Sequence, residues 1–457
     1  MIRALCVGGL ASSVGKTTVT LALAAAFRRR GLRVRCAKVG PDFIDPGFHE
    51  AATGAPSRTL DSWMLAPDAL RTAFARAGWE ADLVLVEGAM GLFDGLDGRS
   101  ETASTAEVAK RLALPVLLVV DAAAQVRSAG ALVLGAERYD PELDVAGVVF
   151  NRVGGERHLR WLADALAGRS RARVLGALPW RDDLGLPERH LGLVTARERR
   201  FPAGLFDALA GLAEASIDLD ACLALARSAV AVEAPPAPGP PRIRLGVALD
   251  EAFQFYYPEA LEALGAAGAE IAPWSPLEDR GLPEVDGLYL GGGYPEVHAA
   301  RLAGNEAARA AVRAFVLEGR PVYAECGGLM YLAESLEDPE GGRHPMVGVL
   351  PVRVRMTPRR LTLGYREVRL AAGGLLGPAG ANLRGHEFHA SYLEAAPVGL
   401  PCAYRVLDPT GGEPWSEGYR VRGTLASYVH LHPGSRPGTA DAFVAACAAG
   451  RAGLALR

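Results

Sequence analysis

The stretch Gly9-Leu10-Ala11-Ser12-Ser13-Val14-Gly15-Lys16-Thr17-Thr18 carries the residue types that hold a nucleotide phosphate. Small residues at Gly9, Ser12, Ser13 and Gly15 let backbone N–H groups wrap phosphate oxygens. The helix expected at Val19 to Arg30 adds the positive end of its dipole. Lys16 can reach the β- and γ-phosphates, and the Thr17 hydroxyl can bind Mg²⁺, with Thr18 beside it. Two acidic loops accompany this one. Asp42 and Asp45 follow Gly40-Pro41, and Glu87 ends the apolar run Val84 to Val86. Each carboxylate alone could be a cap or a turn residue. Beside a phosphate loop they form a set of hard oxygen ligands of the kind Mg²⁺ prefers. Asn151 closes the run Gly147 to Phe150, where many such NTPases read adenine.

A second chemistry stands far downstream. Cys326-Gly327-Gly328 follows the apolar run Pro321 to Ala324 and precedes a helical stretch, Leu329 to Ser335. A cysteine at a tight strand-to-helix turn is a nucleophile elbow, with an exposed thiol near a helix N-terminus that favours thiolate. A structural cysteine is the alternative, but Glu325 and two glycines make a poor core. A thiol needs a base, and Ala426-Ser427-Tyr428-Val429-His430-Leu431-His432 offers two. As a strand, this segment puts His430 and His432 on one face. Either imidazole could take the thiol proton. Gly291-Gly292-Gly293, after Leu288 to Leu290, offers bare N–H groups for a tetrahedral oxyanion. His386 and His389 are weaker candidates for the base, His158 and His298 carry little signal, and His190 is set apart by its segment RHLGLV.

These residues need elements to hold them. Short β-rich runs alternate with longer Ala/Leu-rich helical stretches. Strands are expected near 33–38, 83–87, 115–120, 145–150 and 173–177, after Ile2 to Val7. Others are expected near 243–248, 287–291, 321–325, 347–355, 364–370 and 425–431. Such alternation implies parallel sheets covered on both faces, with ligands at the carboxyl ends of the strands. Residues 233–241 hold five prolines in nine positions, so they read as a stiff linker between domains at 1–232 and 242–457.

Composition narrows the classes. Half of the 457 residues are hydrophobic and 22% are charged, which gives ample core and excludes a mostly disordered chain. A formal charge of −3, from 49 basic and 52 acidic side chains, provides no general basic surface for nucleic acid or anionic membrane. The six cysteines form no CxxC pair, which argues against zinc ribbons and disulfide frameworks and suits a cytoplasmic protein. No secretory signal pattern follows Met1, and the run Leu112 to Val120 is too short to span a bilayer.

The longer GxxxxxGKT spacing of the first loop resembles the dethiobiotin-synthetase type. The segments KVGPDFIDPGFH (from Lys38), RTLDSWML (from Arg58), VEGAMGLFDG (from Val86) and PERHLGLV (from Pro187) resemble the cobyrinic or hydrogenobyrinic acid a,c-diamide synthases. So do DEAFQFYYPE (from Asp250), LGGGYPE (from Leu290), ECGGLMYL (from Glu325) and GHEFHASY (from Gly385), in a triad glutamine amidotransferase domain. The implied fold is α/β: an N-terminal P-loop NTPase domain with a dethiobiotin-synthetase-like parallel sheet, then a C-terminal class I glutamine amidotransferase-like domain. The implied activity is ATP- and glutamine-dependent amidation of two carboxylates on a corrin-type tetrapyrrole acid. By that resemblance Thr17, Asp45 and Glu87 hold Mg²⁺, Lys38 faces phosphate or substrate carboxylate, and Asn151 meets adenine. Phe43, Phe48, Trp63 and Phe93 are candidates for contact with the ring. Ammonia made by one half calls for a protected route to the other.

The pattern departs from the family in two places. Ala324 replaces the first glycine of the usual G-x-C-x-G elbow, and the usual His-Pro-Glu is absent after His430, so no triad carboxylate is legible. Other readings are a partitioning-type ATPase switch with a non-catalytic second half, a stand-alone thiol hydrolase, and a nickel-tetrapyrrole synthase. A homodimer is open to any of them.

Overall fold

The computed structural model describes residues 1–181, 188–189, 192–193, 202, 204–357, 361–395, 399–451 and 453. His190 and half of the PERHLGLV segment lie outside them. The chain divides into two units, Met1–Pro235 and Pro236–Arg457, and residues 233–241 contain neither helix nor strand.

In the first unit the strands are β1 (Ala4–Gly9), β2 (Val34–Val39), β3 (Arg58–Leu60), β4 (Leu83–Glu87), β5 (Val116–Asp121), β6 (Val145–Val153) and β7 (Arg173–Pro179). They form one sheet in the order β3-β2-β4-β1-β5-β6-β7, with every pairing parallel. The central strands are mostly apolar because both faces are covered. Alternate residues feed opposite cores. Ala4, Cys6, Val84, Val86 and Leu118 pack with Phe74 and Phe150 on one face. Leu5, Val7, Leu83, Leu85 and Leu117 pack with Phe27 of helix Lys16–Arg29 on the other. β1 lies between β4 and β5, so its carboxyl end opens at the point where the strand order reverses. The phosphate loop and Glu87 therefore emerge side by side. β3 is a three-residue edge strand, too short to show in a sequence pattern. A small ribbon, β8 (Glu188–Arg189) with β9 (Gly192–Leu193), follows.

The second unit begins with β10 (Ile243–Ala248), β11 (Ala269–Trp274), β12 (Gly287–Leu290) and β13 (Val322–Glu325). Then come β14 (Ala333–Glu337), β15 (Arg343–Pro345), β16 (Leu350–Met356), β17 (Thr362–Leu370), β18 (Asn382–His389) and β19 (Ser391–Leu393). The last are β20 (Cys402–Leu407), β21 (Trp415–Val421), β22 (Thr424–Ser427) and β23 (His430–Leu431). The main sheet runs β11-β10-β12-β13-β22-β21-β20-β17-β18-β23. Its first five strands are mutually parallel and the rest pair antiparallel, so the expected all-parallel sheet is corrected to a mixed one. The extension is built largely from antiparallel neighbours in the chain, β17–β18, β20–β21 and β21–β22, with one half-exposed face and no helix between them, so the alternation of β and α does not reveal it. A smaller sheet, β15-β14-β16-β19, sits beside it. The helix expected at Leu329 to Ser335 spans Gly327–Leu332, and the chain turns directly into β14.

Candidate active sites

At the end of β1, Gly15 adopts φ 101° and opens the helix at Lys16. A side chain there would lie 2.0 Å from Asn151 Nδ2, so the turn requires glycine. Asn151 Nδ2 donates to the Val14 carbonyl (2.9 Å). Its amide thus braces the phosphate loop from the strand end where adenine contact was expected. Lys16 Nζ donates to the carbonyls of Ala11 (2.9 Å) and Met90 (2.6 Å), which holds it across the mouth of the loop. Burial, and then the Lys38 ammonium, lower its pKa to about 8.

Behind Lys16 lies a buried charged network. Thr17 Oγ1 donates to Glu87 Oε1 (2.7 Å). Lys38 Nζ donates to Asp45 Oδ2 (2.6 Å), Glu87 Oε1 (2.9 Å) and the Gly88 carbonyl (3.1 Å), and lies 3.7 Å from Asp42. Lys38 is only 2% exposed and neutralises these acids. Burial alone would raise the Glu87 carboxyl, but Lys38 and His49 hold it well below the usual carboxylate range. Burial and Asp42 push Asp45 up.

The set formed by Thr17, Asp45 and Glu87 is chemically suited to Mg²⁺. These are hard oxygens lying close together: Thr17 reaches Glu87 directly, and Lys38 Nζ bridges Glu87 to Asp45. Among the described residues no group of three His, Cys, Asp or Glu side chains forms a closed metal cage. Few protein ligands, with phosphate supplying the rest, is how Mg²⁺ binds beside nucleotides.

Sequence reasoning missed His49. Its Nε2 is hydrogen-bonded to Glu87 Oε2 (2.7 Å) and its Nδ1 to Ser57 Oγ (2.9 Å), in full burial. A signal was available: His49 lies one helical turn after Asp45 on helix Asp45–Thr53. Two of the aromatic candidates are corrected. Phe48 (1% exposed) and Trp63 (6%) are core side chains, removed from any ligand by packing. Phe43 and Phe93 are partly exposed, and Phe93 packs on Tyr139 (4.7 Å).

In the second unit β13 lies between β12 and β22 and delivers Cys326 at its tip. Cys326 has φ 46° and ψ −99°, a strained conformation outside the usual regions for a side-chain-bearing residue. The strain is held by close packing. A Cβ on Gly328 would lie 2.2 Å from the Leu290 carbonyl, and one on Gly327 would lie 3.1 Å from Gly293 N. The Cys326 N–H donates to the Ser427 carbonyl (2.7 Å).

The thiol, expected exposed and thiolate-like, is 5% exposed. Burial, and then Glu296, push its pKa up, outweighing the short helix beneath it. Burial lowers His430 to about 3. A neutral thiol and a neutral imidazole are the resting forms.

The glycine loop joins these pieces. A Cβ on Gly292 would lie 2.4 Å from His430 Cε1 and 3.2 Å from its Nε2. Gly292 thus touches the imidazole, and its neighbour Gly293 touches the elbow. Gly291 is corrected as an oxyanion donor, because its N–H donates to the Tyr256 hydroxyl (2.8 Å). His430 is the histidine brought to this loop. His432 follows it but packs on the Tyr257 ring (4.5 Å), and its Nδ1 accepts from Gly434 N–H (3.0 Å). His386 stacks on His430 (5.1 Å) and is hydrogen-bonded to Tyr257 Oη (3.0 Å). His389 stacks on Tyr428 (4.0 Å). Among the described residues no helix is long and apolar enough to cross a membrane.

Residues 5–194 match the family model described as the CobQ/CobB/MinD/ParA nucleotide binding domain. Residues 244–438 match the CobB/CobQ-like glutamine amidotransferase domain. A protein of Syntrophotalea carbinolica named cobyrinate a,c-diamide synthase is 47% identical over 97% of this chain and 98% of its own length. One of the same name from Salmonella typhimurium is 41% identical over 95% of this chain and 96% of its own. A crystal structure titled as a glutamine amidotransferase is 21% identical, covers 44% of this chain and 98% of its own, and has a TM-score of 0.33.

Proposed function

The chain belongs to the cobyrinate a,c-diamide synthase family, and on that premise we propose that it amidates the a and c carboxylates of a corrin-ring acid with ATP and glutamine. The observation that carries this reading is one chain holding both a braced phosphate loop and a strained Cys326 elbow at the Gly292–His430 contact.

The first unit makes the carboxyl group reactive. A substrate carboxylate oxygen attacks the γ-phosphorus, ADP leaves, and an acyl phosphate results. Lys16 is positioned at the loop mouth to meet the developing phosphate charge. Mg²⁺, held by Thr17, Asp45 and Glu87, supplies further neutralisation at the phosphates when bound. Lys38 and His49 keep Glu87 ionised and oriented.

The second unit supplies nitrogen. His430 takes the Cys326 proton as sulfur attacks the glutamine side-chain carbonyl, and gives it to the departing amine. The Gly292 and Gly293 amides are the oxyanion donors. Ammonia leaves, and water hydrolyses the glutamyl thioester to glutamate. Ammonia then displaces phosphate from the acyl phosphate, and an amide remains. Six free cysteines support a cytoplasmic setting.

A partitioning-type switch is disfavoured, because identity to synthases extends through the whole second unit. The test is mass spectrometry after incubation with ATP, Mg²⁺, glutamine and either cobyrinate, hydrogenobyrinate or a nickel-tetrapyrrole acid. Two new amide groups on a corrin acid are expected; ATP turnover without amidation of any of them would overturn the reading. Gly292→Ala is expected to cut glutamine-dependent turnover by ~100-fold or more, because its methyl group displaces His430. Ammonium-dependent turnover should persist. Steady-state rates with each nitrogen source check this, and an unimpaired glutamine rate would separate the loop from the base.

A further inference from the structure

The segment carrying His430 leaves the sheet ladder. β22 stays paired with β13 as far as Glu325↔Ser427, and β23 pairs with β18 only at His430 and Leu431. Between and around these points, buried side chains satisfy the backbone amides. Tyr428 N–H donates to Glu417 Oε1 (2.7 Å), and the Ser427 hydroxyl donates to Glu417 Oε2 (2.5 Å). Val429 N–H donates to Ser427 Oγ (3.0 Å). Leu431 N–H donates to Glu325 Oε1 (2.9 Å).

Both carboxyl groups are deep in the unit, with Glu325 3% and Glu417 4% exposed. Burying such groups is costly, and it is tolerated where several donors converge. Glu325 also accepts from Tyr289 Oη (2.7 Å) and Tyr323 Oη (2.5 Å). The alternation of β13 explains this: Tyr323 and Glu325 face one side, with Tyr289 opposite Tyr323 in register. Glu325 is also the residue before the nucleophile. One strand tip therefore carries the thiol and grips the strand that bears the base.

We propose that Glu325 and Glu417 are positioning residues for glutamine hydrolysis, holding the backbone on either side of His430 so that its imidazole stays against Gly292 beside Cys326. Neither group reacts with substrate. The carboxylate that the amidotransferase motif places two residues after the histidine is His432 here. In this chain carboxylates act on the backbone around the base. The proposal rests on the glutaminase reading given above.

The test compares Glu325→Ala, Glu325→Gln and Glu325→Asp, with Glu417→Ala and Glu417→Gln alongside. Each full-length variant is assayed with glutamine, with ammonium, and for alkylation of Cys326 by a glutamine-like diazoketone. The Ala variants should lose kcat with glutamine by ~30-fold or more while KM for glutamine moves less than about threefold. Alkylation should slow in parallel, and ammonium-dependent amidation should hold. The Gln variants keep an oxygen for the Leu431 or Tyr428 N–H and should recover most of the loss. If the Ala variants do not fold, Glu325→Asp stands in, since its shorter arm falls away from Leu431 while Glu325→Gln reaches. Equal kcat in Asp and Gln variants, normal kcat in the Ala variants, or equal losses with both nitrogen sources would overturn the proposal. Absence of glutamine hydrolysis in the unmodified protein would instead overturn the underlying reading.

Discussion

Cys326→Ala abolishes amidation with glutamine and leaves amidation with ammonium salts within about twofold of the unmodified enzyme; this is the expected result. Removing an attacking nucleophile leaves no low-energy route to the thioester, so the glutamine reaction should fall by ~10⁴-fold or more. The geometry makes the loss specific. Cys326 sits in a strained backbone that the glycines at 327 and 328 permit, and alanine tolerates the same position no worse than cysteine. The phosphate loop, residues 9–18, belongs to the other unit. Parallel steady-state assays with the two nitrogen sources check the prediction. Loss of both activities would show that the thiol serves more than nitrogen supply.

The complementary expectation concerns Lys16. Lys16→Ala should abolish amidation with glutamine and with ammonium alike, by ~10³-fold or more, because both need the acyl phosphate. Lys16 Nζ lies at the loop mouth, bonded to the carbonyls of Ala11 and Met90. Lys38 cannot take its place, since it is locked between Asp45 and Glu87. Glutamine hydrolysis measured without ATP and corrin acid should survive. ATP turnover and amidation are the measured quantities, and retained amidation would remove Lys16 from the phosphoryl step.

What was legible in the sequence was local. The phosphate loop, the acids at strand tips and the cysteine elbow are each set by spacings of a few residues, where backbone geometry dictates residue type. What was hidden depends on distant pairings. The amide of Asn151 meets Val14 across the sheet, and Tyr256 consumes the Gly291 N–H from another loop. Glu325 reads as a sign that Cys326 is not in a core; it is itself buried by tyrosines on β12 and β13. The antiparallel strands β18, β20 and β21 likewise have one half-exposed face and no connecting helices, so the alternation of strand and helix passed over them. The residues flanking Cys326 in the sequence suggest exposure, whereas in the fold it is 5% exposed within an apolar cluster that includes Leu290, Leu329 and Tyr428.

We propose that nitrogen is released at Cys326 and consumed by a carboxyl group activated at the Lys16 loop. It is tested most directly by supplying glutamine labelled with nitrogen-15 in its side-chain amide, together with unlabelled ammonium, ATP, Mg²⁺ and the corrin acid. The unmodified enzyme should place label in both new amides, and Cys326→Ala should form the same diamide with none. Label appearing in the Cys326→Ala product would contradict the account.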